Sequence, residues 1–392
     1  MSINNPLFDV IIFGRGETIM KICSGNEVLE YICDRSLKDR TEMRDRLMSL
    51  DSTDMHLLSC DSDLEAQAYH QYLPTLYNKF HCTVFRGQRD YTWGLTPTCM
   101  RDGSGNDVVS QIIRRTRANM LQQIVVSTNL YHKYYGIKVR SGSGEFSHTI
   151  YDDPWILAQH YGLPTPLIDY TSDPCVAMFF ACTKSSKDGP EPLTSKDIEC
   201  NPYGRIFLEE YCMGPYSESS PDVISPTLLS RPMNQKGFLM HHSRCRDSHI
   251  TFRHDPDLSR DLFDLFDGGK LLFSDKGQKV DDIVSRIKDS SVLSSESFRR
   301  AIPPRTDQAD VMETASSRGF SFSDDVLGDI SEGFDLNECD VARVQHPDVI
   351  MNHCRRGGEL SVDDMYDLLS GLQFSREWMK STFDIIAQNG SI

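Results

Sequence analysis

Four things are missing from this 392-residue chain: an apolar run of membrane-spanning length, a Cys-x-x-Cys pair, a Gly-x-Ser-x-Gly element, and an excess of positive charge. Each absence removes a class of function. A membrane helix needs about 20 consecutive apolar residues, so no membrane association is expected. Zinc ribbons and fingers hold their ion with closely spaced cysteines, and these are lacking. A nucleophile elbow places its serine between glycines, and Cys212 and Cys245 do not assemble with the histidines into a Cys-His pair from sequence alone. Lys and Arg number 41 against 57 Asp and Glu, a formal net charge of -16. That balance disfavours nucleic acid as a partner, because such binding rests on neutralising phosphates, and a nuclease would also need a metal-ligand carboxylate spacing that is absent. His241, His242, Cys245, His249 and His254 crowd one segment without a ligand spacing. Asp335-Leu336-Asn337-Glu338 starts like a calcium loop but lacks its later Gly and Glu. No metal is expected.

What is present suits one large or two to three smaller globular domains, with 39% hydrophobic residues. Twelve cysteines would suit a disulfide scaffold. Against this, Met1-Ser2-Ile3-Asn4-Asn5 opens no charged-then-apolar leader, and Cys175 and Cys182 sit in apolar runs where a thiol acts as a small hydrophobe. The expectation is a reduced, cytoplasmic protein.

Residues 1–61 read as an N-terminal extension with a strand at Phe8–Phe13 and helical sequence after it; Gly14-Arg15-Gly16 reads as a turn. A helix around Ser62–Phe80 leads to a strand at Cys82–Arg86. The longest helical pattern runs from Asp107 to Tyr135, with Gly136 as its stop and Arg114, Arg115 and Arg117 on a solvated face. Ser141–Ser147 reads as a flexible loop. Asp153-Pro154 and Asp173-Pro174 each open a short helix, since Asp caps free amides and Pro suits the first helical position. Strands are expected at Leu167–Tyr170, Gly204–Leu208, Gly237–Met240 and Lys270–Phe273. The polar 303–325 segment reads as a linker. A helical region, 326–392, follows. There Ser361 and Asp364 resemble a capping box ahead of Met365, Leu368 and Leu369, and Ser375 starts a helix bearing Trp378, Met379, Phe383 and Ile386.

Two stretches carry the chemistry: Phe85-Arg86-Gly87-Gln88, and the run from Gln159-His160-Tyr161-Gly162 through Thr165 and Asp169 to Thr171-Ser172. Arginine binds phosphate in a bidentate fashion, and the amides at the start of the 174–183 helix attract anions. A diphosphate-bearing ligand such as NAD suits these types. The same residues also suit a purely structural network, with Arg86 paired to Asp169 and His160 capping its own helix.

The two stretches, with Ala177, Phe179-Phe180-Ala181, Gly204–Leu208, Arg231 and Asn234-Gln235-Lys236-Gly237-Phe238, resemble the FRG domain over about residues 62–302, although Pro166 stands where the family carries a basic residue. A more distant similarity links this pattern to ADP-ribosyltransferases of the Arg-Ser-Glu type. That similarity implies an α+β fold, with an ADP-ribosyltransferase-like core of small packed sheets, flanking helices and a helical C-terminal appendage. It implies NAD as substrate for an ADP-ribosyltransferase or NAD glycohydrolase, in a toxin or phage-defence setting. Arg86, Gly87, Gln88, His160, Tyr161, Thr165, Asp169 and Thr171 would line the nucleotide site, and Ser172 would orient the nicotinamide ribose. At the position of the expected glutamate stands Gln235, and the acid would come from Glu209, Glu210 or Asp169. The competing reading is a non-catalytic nucleotide sensor or protein-interaction module, with the C-terminal helices meeting a protein partner.

Overall fold

The computed structural model describes residues 22–51, 54, 80–101, 107–128, 130–131, 136–141, 144–149, 154–187, 189–212, 229–242, 245, 247–273, 279–336, 344–345 and 347–372. The strand expected at 8–13, most of the helix around 62–80, and the helix bearing Trp378 lie outside these residues.

The first strand, β1 (Cys23–Ser24), feeds α1 (Gly25–Met48). Ser24 caps that helix in a capping box: its hydroxyl accepts from Glu27 N at 3.2 Å, and the Glu27 carboxylate accepts from Ser24 N at 2.7 Å. β2 (His81–Gln88) and the single turn α2 (Thr98–Arg101) precede α3 (Val108–Val126). The Asp107 side chain caps α3 by accepting from Val109 N and Ser110 N. The helix ends well before the expected Tyr135. The Ser127 and Thr128 hydroxyls donate back to the carbonyls of Ile124 and Val125 at 2.7 and 2.8 Å, satisfying acceptors that a longer helix would have used. Gly136, expected as the stop, instead opens β3 (Gly136–Ser141), paired antiparallel with β4 (Gly144–Thr149). The glycine-rich stretch read as a loop therefore belongs largely to a hairpin.

Then follow α4 (Pro154–His160), β5 (Leu167–Thr171), α5 (Pro174–Cys182), the hairpin β6 (Thr183–Ser186) and β7 (Gly189–Pro192), and α6 (Ser195–Cys200). β8 (Tyr203–Cys212) is longer than its expected core. After it come α7 (Ser230–Asn234), β9 (Gly237–His241), β10 (His249–Arg253) and α8 (Pro256–Leu265). The strand expected at 270–273 is not formed. Gly268 and Gly269 adopt φ of 65° and 86°, and Leu272 N and Phe273 N both donate to Gly269 O at 3.0 Å, so the chain curls. The last elements are α9 (Lys279–Asp289), β11 (Val292–Ser294), α10 (Ser295–Ala301), α11 (Gln308–Ser317), β12 (Ser321–Ser323), α12 (Val326–Ser331), α13 (Pro347–Arg355) and a helix over 362–372, α14.

The segment read as a linker is folded. In α11 Val311 and Ala315 are buried in the same core as α3, and β12 pairs in parallel with β11. Two apolar residues one turn apart anchor a helix whose other faces are polar, so composition alone reads it as a spacer. The arginines of α3 are likewise not a solvated face. Arg114 is buried, Arg115 lies 4.9 Å from the Trp155 ring, and Arg117 donates to Lys288 O at 3.0 Å.

The organising element is a six-stranded sheet in the order β1-β10-β8-β2-β5-β9, antiparallel except for the β1–β10 pair. Strand alternation sends Phe85, Ile206 and Phe252 to one face, against α1, α5 and α8. It sends Val84, Phe207, Tyr170 and Phe238 to the other, against α13 and α14. A third, mainly helical core gathers α3, α4 and α9 through α12. The architecture is α+β, with helices flanking small sheets. In the C-terminal region, Ser361 and Asp364 form the expected capping box: Asp364 N donates to Ser361 Oγ and Ser361 N to Asp364 Oδ2, both at 3.0 Å. Met365, Leu368 and Leu369 are buried.

Two consequences are measurable. A methyl on Gly87 would sit 1.8 Å from Ala177 O and 2.8 Å from Ala181 N, so β2 and α5 touch backbone to backbone. Gly87→Ala is expected to lower unfolding stability by about 3 kcal/mol in urea titration, the cost of overpacking against an unyielding neighbour. Burial also pushes the Asp367 carboxyl of α14 up to about 6, against the opposing effects of a hydrogen bond from the Gln345 backbone and of Lys236. The folded chain thus holds this proton when the unfolded chain has lost it, and stability falls as pH rises from 3.8 to about 6. Asp367→Asn should flatten that window and raise stability at pH 7.5 by on the order of 2 kcal/mol, read from urea midpoints across pH.

Candidate functional site

β2 and β5 are neighbours joined at a single register pair, Phe85 with Thr171. Beyond that pair the sheet opens, and the Arg86 side chain enters the gap. Its Nη1 donates to the Asp169 carbonyl at 2.9 Å and lies 3.4 Å from the Asp169 carboxylate. The guanidinium thereby satisfies a strand carbonyl where the ladder gives out. Gln159 Nε2 donates to the same carboxylate at 2.7 Å. Its amide oxygen accepts from the Thr165 hydroxyl, which in turn accepts from Leu167 N at 3.1 Å. Thr165 N donates to Thr98 Oγ1 at 3.0 Å, and Thr165 O accepts from Cys99 N at 3.2 Å. A continuous chain of hydrogen bonds thus runs from α2 through Thr165 and Gln159 to Asp169 and Arg86. Gly162, at φ 75°, lets the chain reverse after α4 so that residues 159 and 165 can meet.

Thr171 and Ser172 secure the opposite wall. Thr171 Oγ1 donates to Gln235 O at 2.7 Å and accepts from Asp173 N at 3.0 Å, while Ser172 N donates to Lys236 O at 3.1 Å. Asp173 caps α5 as its position implies, its side chain accepting from Cys175 N and Val176 N. Gln235 is held by donation from Nε2 to Leu272 O at 3.1 Å.

The result is a cleft of about 290 Å³ in which the two sequence stretches meet. Arg86, Gly87, Gln88, His160, Asp169, Thr171 and Gln235 all line it, with Gln159 and Tyr170. Three expected residues do not. Ser172 and Thr165 are fully buried behind the wall, and Tyr161 lies under Arg231, 4.6 Å from the guanidinium carbon to its ring centre. Two of the alternative acids are also outside. Glu209 is buried opposite Val84, and Glu210 is an exposed residue opposite Thr83 whose carboxylate lies 3.4 Å from Arg35. The register explains this: Arg86 is opposite Phe207, so both glutamates lie farther along β8, away from the open end. Asp169 is the sole carboxylate lining the cleft among the described residues.

Arg89, Arg101 and Arg231 join Arg86 in the lining, with Trp93, Phe180 and Phe273. The cleft is therefore basic within an acidic chain. Burial and the nearby Arg86 charge hold the Arg101 guanidinium below its ordinary value, opposed by Asp169. Arg231 is buried, donates from Nη1 to His160 O at 2.9 Å and pairs with Asp281 at 3.3 Å. Arg86 Nε and Gln88 Oε1 are buried and have no hydrogen-bond partner among the described residues. Such atoms are costly unless something else satisfies them. Arg101 carries no signal in the sequence; Arg231 is legible only through the extended family pattern. Among the described residues no three His, Cys, Asp or Glu side chains gather as a metal site would need, and no helix is long and apolar enough to cross a membrane.

The Gln159 bridge can be weighed by removal. Gln159→Ala deprives both the Thr165 hydroxyl and the Asp169 carboxylate of a partner and should cost about 2 kcal/mol of stability in urea unfolding.

Residues 81–189, from the start of β2 to the start of β7, match the family model of the FRG domain. No curated protein and no solved structure matches the chain. The matched segment supplies the Arg86 strand, the Gln159–Thr165 turn, Asp169 and α5, and the chain carries an FRG domain over these residues.

Proposed function

We propose that the cleft binds NAD and breaks its nicotinamide–ribose bond, passing ADP-ribose to water or to a hydroxyl or amine of a protein acceptor. The observation that carries this reading is the convergence of Arg86, Arg101 and Arg231 beside a lone carboxylate, Asp169. Arg86 Nε, without a hydrogen-bond partner among the described residues, suits a phosphate oxygen. Trp93, Phe180 and Phe273 suit planar bases.

In the reaction the C1′–N bond breaks and its electron pair leaves with nicotinamide, which departs neutral. Positive charge develops on the ribose, and a fixed carboxylate stabilises it. Asp169, oriented by Gln159 and Arg86, supplies that charge. The acceptor adds to C1′ and gives up its proton. Gln235, a neutral amide where the resemblance to ADP-ribosyltransferases would place a glutamate, orients ribose hydroxyls without adding charge. That neutrality favours the second reading, a nucleotide sensor that does not cleave. A toxin or phage-defence role is the setting in which NAD consumption would matter most, an analogy of context.

Incubating the pure protein with NAD labelled on either half, with and without cell extract, tests the chemistry. Nicotinamide release or label transfer is expected, falling by about 100-fold or more in Arg86→Ala and Asp169→Asn. No release and no labelled product in any condition would overturn the catalytic reading, and NAD binding by calorimetry in that case would establish the sensor.

A further inference from the structure

A second cavity, of about 520 Å³, adjoins the cleft, and Phe180, Arg231 and Phe273 belong to the walls of both. Its far side comes from α9 (Val284, Ser285, Lys288) and from the β6–β7 hairpin (Ser185, Pro190). We infer that this chamber is a subsite for an adenosine nucleotide, so that the protein selects a dinucleotide spanning both chambers over a mononucleotide that fills one. The inference rests on the nucleotide reading of the first cleft but not on its catalysis.

Three features point to that ligand class. The first is Phe180. Its neighbours along α5, from Val176 to Phe179 and then Ala181 and Cys182, are buried, yet Phe180 is 36% exposed at the divide between the cavities. It stands edge-on to Phe273 with ring centres 6.0 Å apart, a wedge against which a base can stack. The second is hydrogen-bond polarity. Thr183 Oγ1 donates to Phe179 O at 2.8 Å, and Ser285 Oγ donates to Asp281 O at 3.0 Å. With their protons committed, both oxygens offer lone pairs, which suits ribose hydroxyls and an amino-bearing base such as adenine.

The third feature is charge. Arg231 is matched by Asp281, so Lys288 sets the balance of the chamber. It makes no ion pair among the described residues, and partial desolvation of its exposed side chain, helped by Arg117, holds the ammonium below the ordinary value against Asp281 and Asp289. An anion beside it would relieve that penalty. The two volumes together fall in the range of sites that enclose ligands of this size.

Calorimetry on the full chain with NAD, AMP, adenosine and nicotinamide mononucleotide provides the test. Ser285 is an exposed helix position, so Ser285→Trp fills the chamber from its rim. It is expected to weaken NAD and AMP by about tenfold or more while leaving nicotinamide mononucleotide within about twofold. Lys288→Ala, also at an exposed position, should weaken AMP by about tenfold and leave adenosine unchanged. AMP that fails to bind, or a Ser285→Trp chain that binds NAD and AMP as before, overturns the subsite. AMP binding that is sensitive to both substitutions, in a protein that never releases nicotinamide, upholds the subsite and overturns only the catalytic reading.

Discussion

The site depends on one interrupted strand pairing. β2 and β5 share a single register pair, and past it a side chain, Arg86, takes over the role of the ladder by donating to the Asp169 carbonyl. A continued ladder would have closed the sheet and left no cleft. A simple split would have left strand carbonyls unpaired, at the cost that buried polar groups carry. The arginine resolves both demands and still leaves its Nε for something else. Asp169 is steadied from the other side by Gln159, and Gln159 by Thr165, so the gap has a defined shape.

That shape is held from behind by close contact between β2 and α5. Gly87 allows the helix backbone to rest on the strand, and Ala177 and Ala181 keep the helix surface low at the point of contact. The same helix turns Phe180 outward. Arg86 and Phe180 are therefore fixed relative to one another by main-chain packing rather than by long side chains, which gives a binding surface little freedom to blur.

Electrostatically the cleft opposes the rest of the protein. A chain with a formal charge of -16 gathers four arginines around one carboxylate. Three of those arginines come from β2, the loop after it and α2, which follow one another in the sequence, and the fourth comes from the distant α7. Net charge speaks to the whole surface and its long-range field, whereas a ligand meets only the local set.

The sequence by itself determined the Asp173 cap and the two stretches that meet in the cleft, and it carried the FRG pattern. The cap rests on adjacent residues, whereas the α+β expectation came with the resemblance, whose motifs are spread from Phe85 to Phe238. Tertiary structure decided the remainder. Whether Glu209, Glu210 or Asp169 is the acid at the cleft depends on the register of β8 against β2, and one pair of strands slides past another without changing either sequence pattern. Whether Ser172 and Thr165 face a ligand or brace a wall depends on what packs behind them. Arg101 and Arg231 enter because folding brings α2 and α7 to the same opening. The 303–325 segment reads as a spacer because its few anchoring apolar residues are outnumbered by the polar ones that cover them. Composition averages over faces that only packing tells apart.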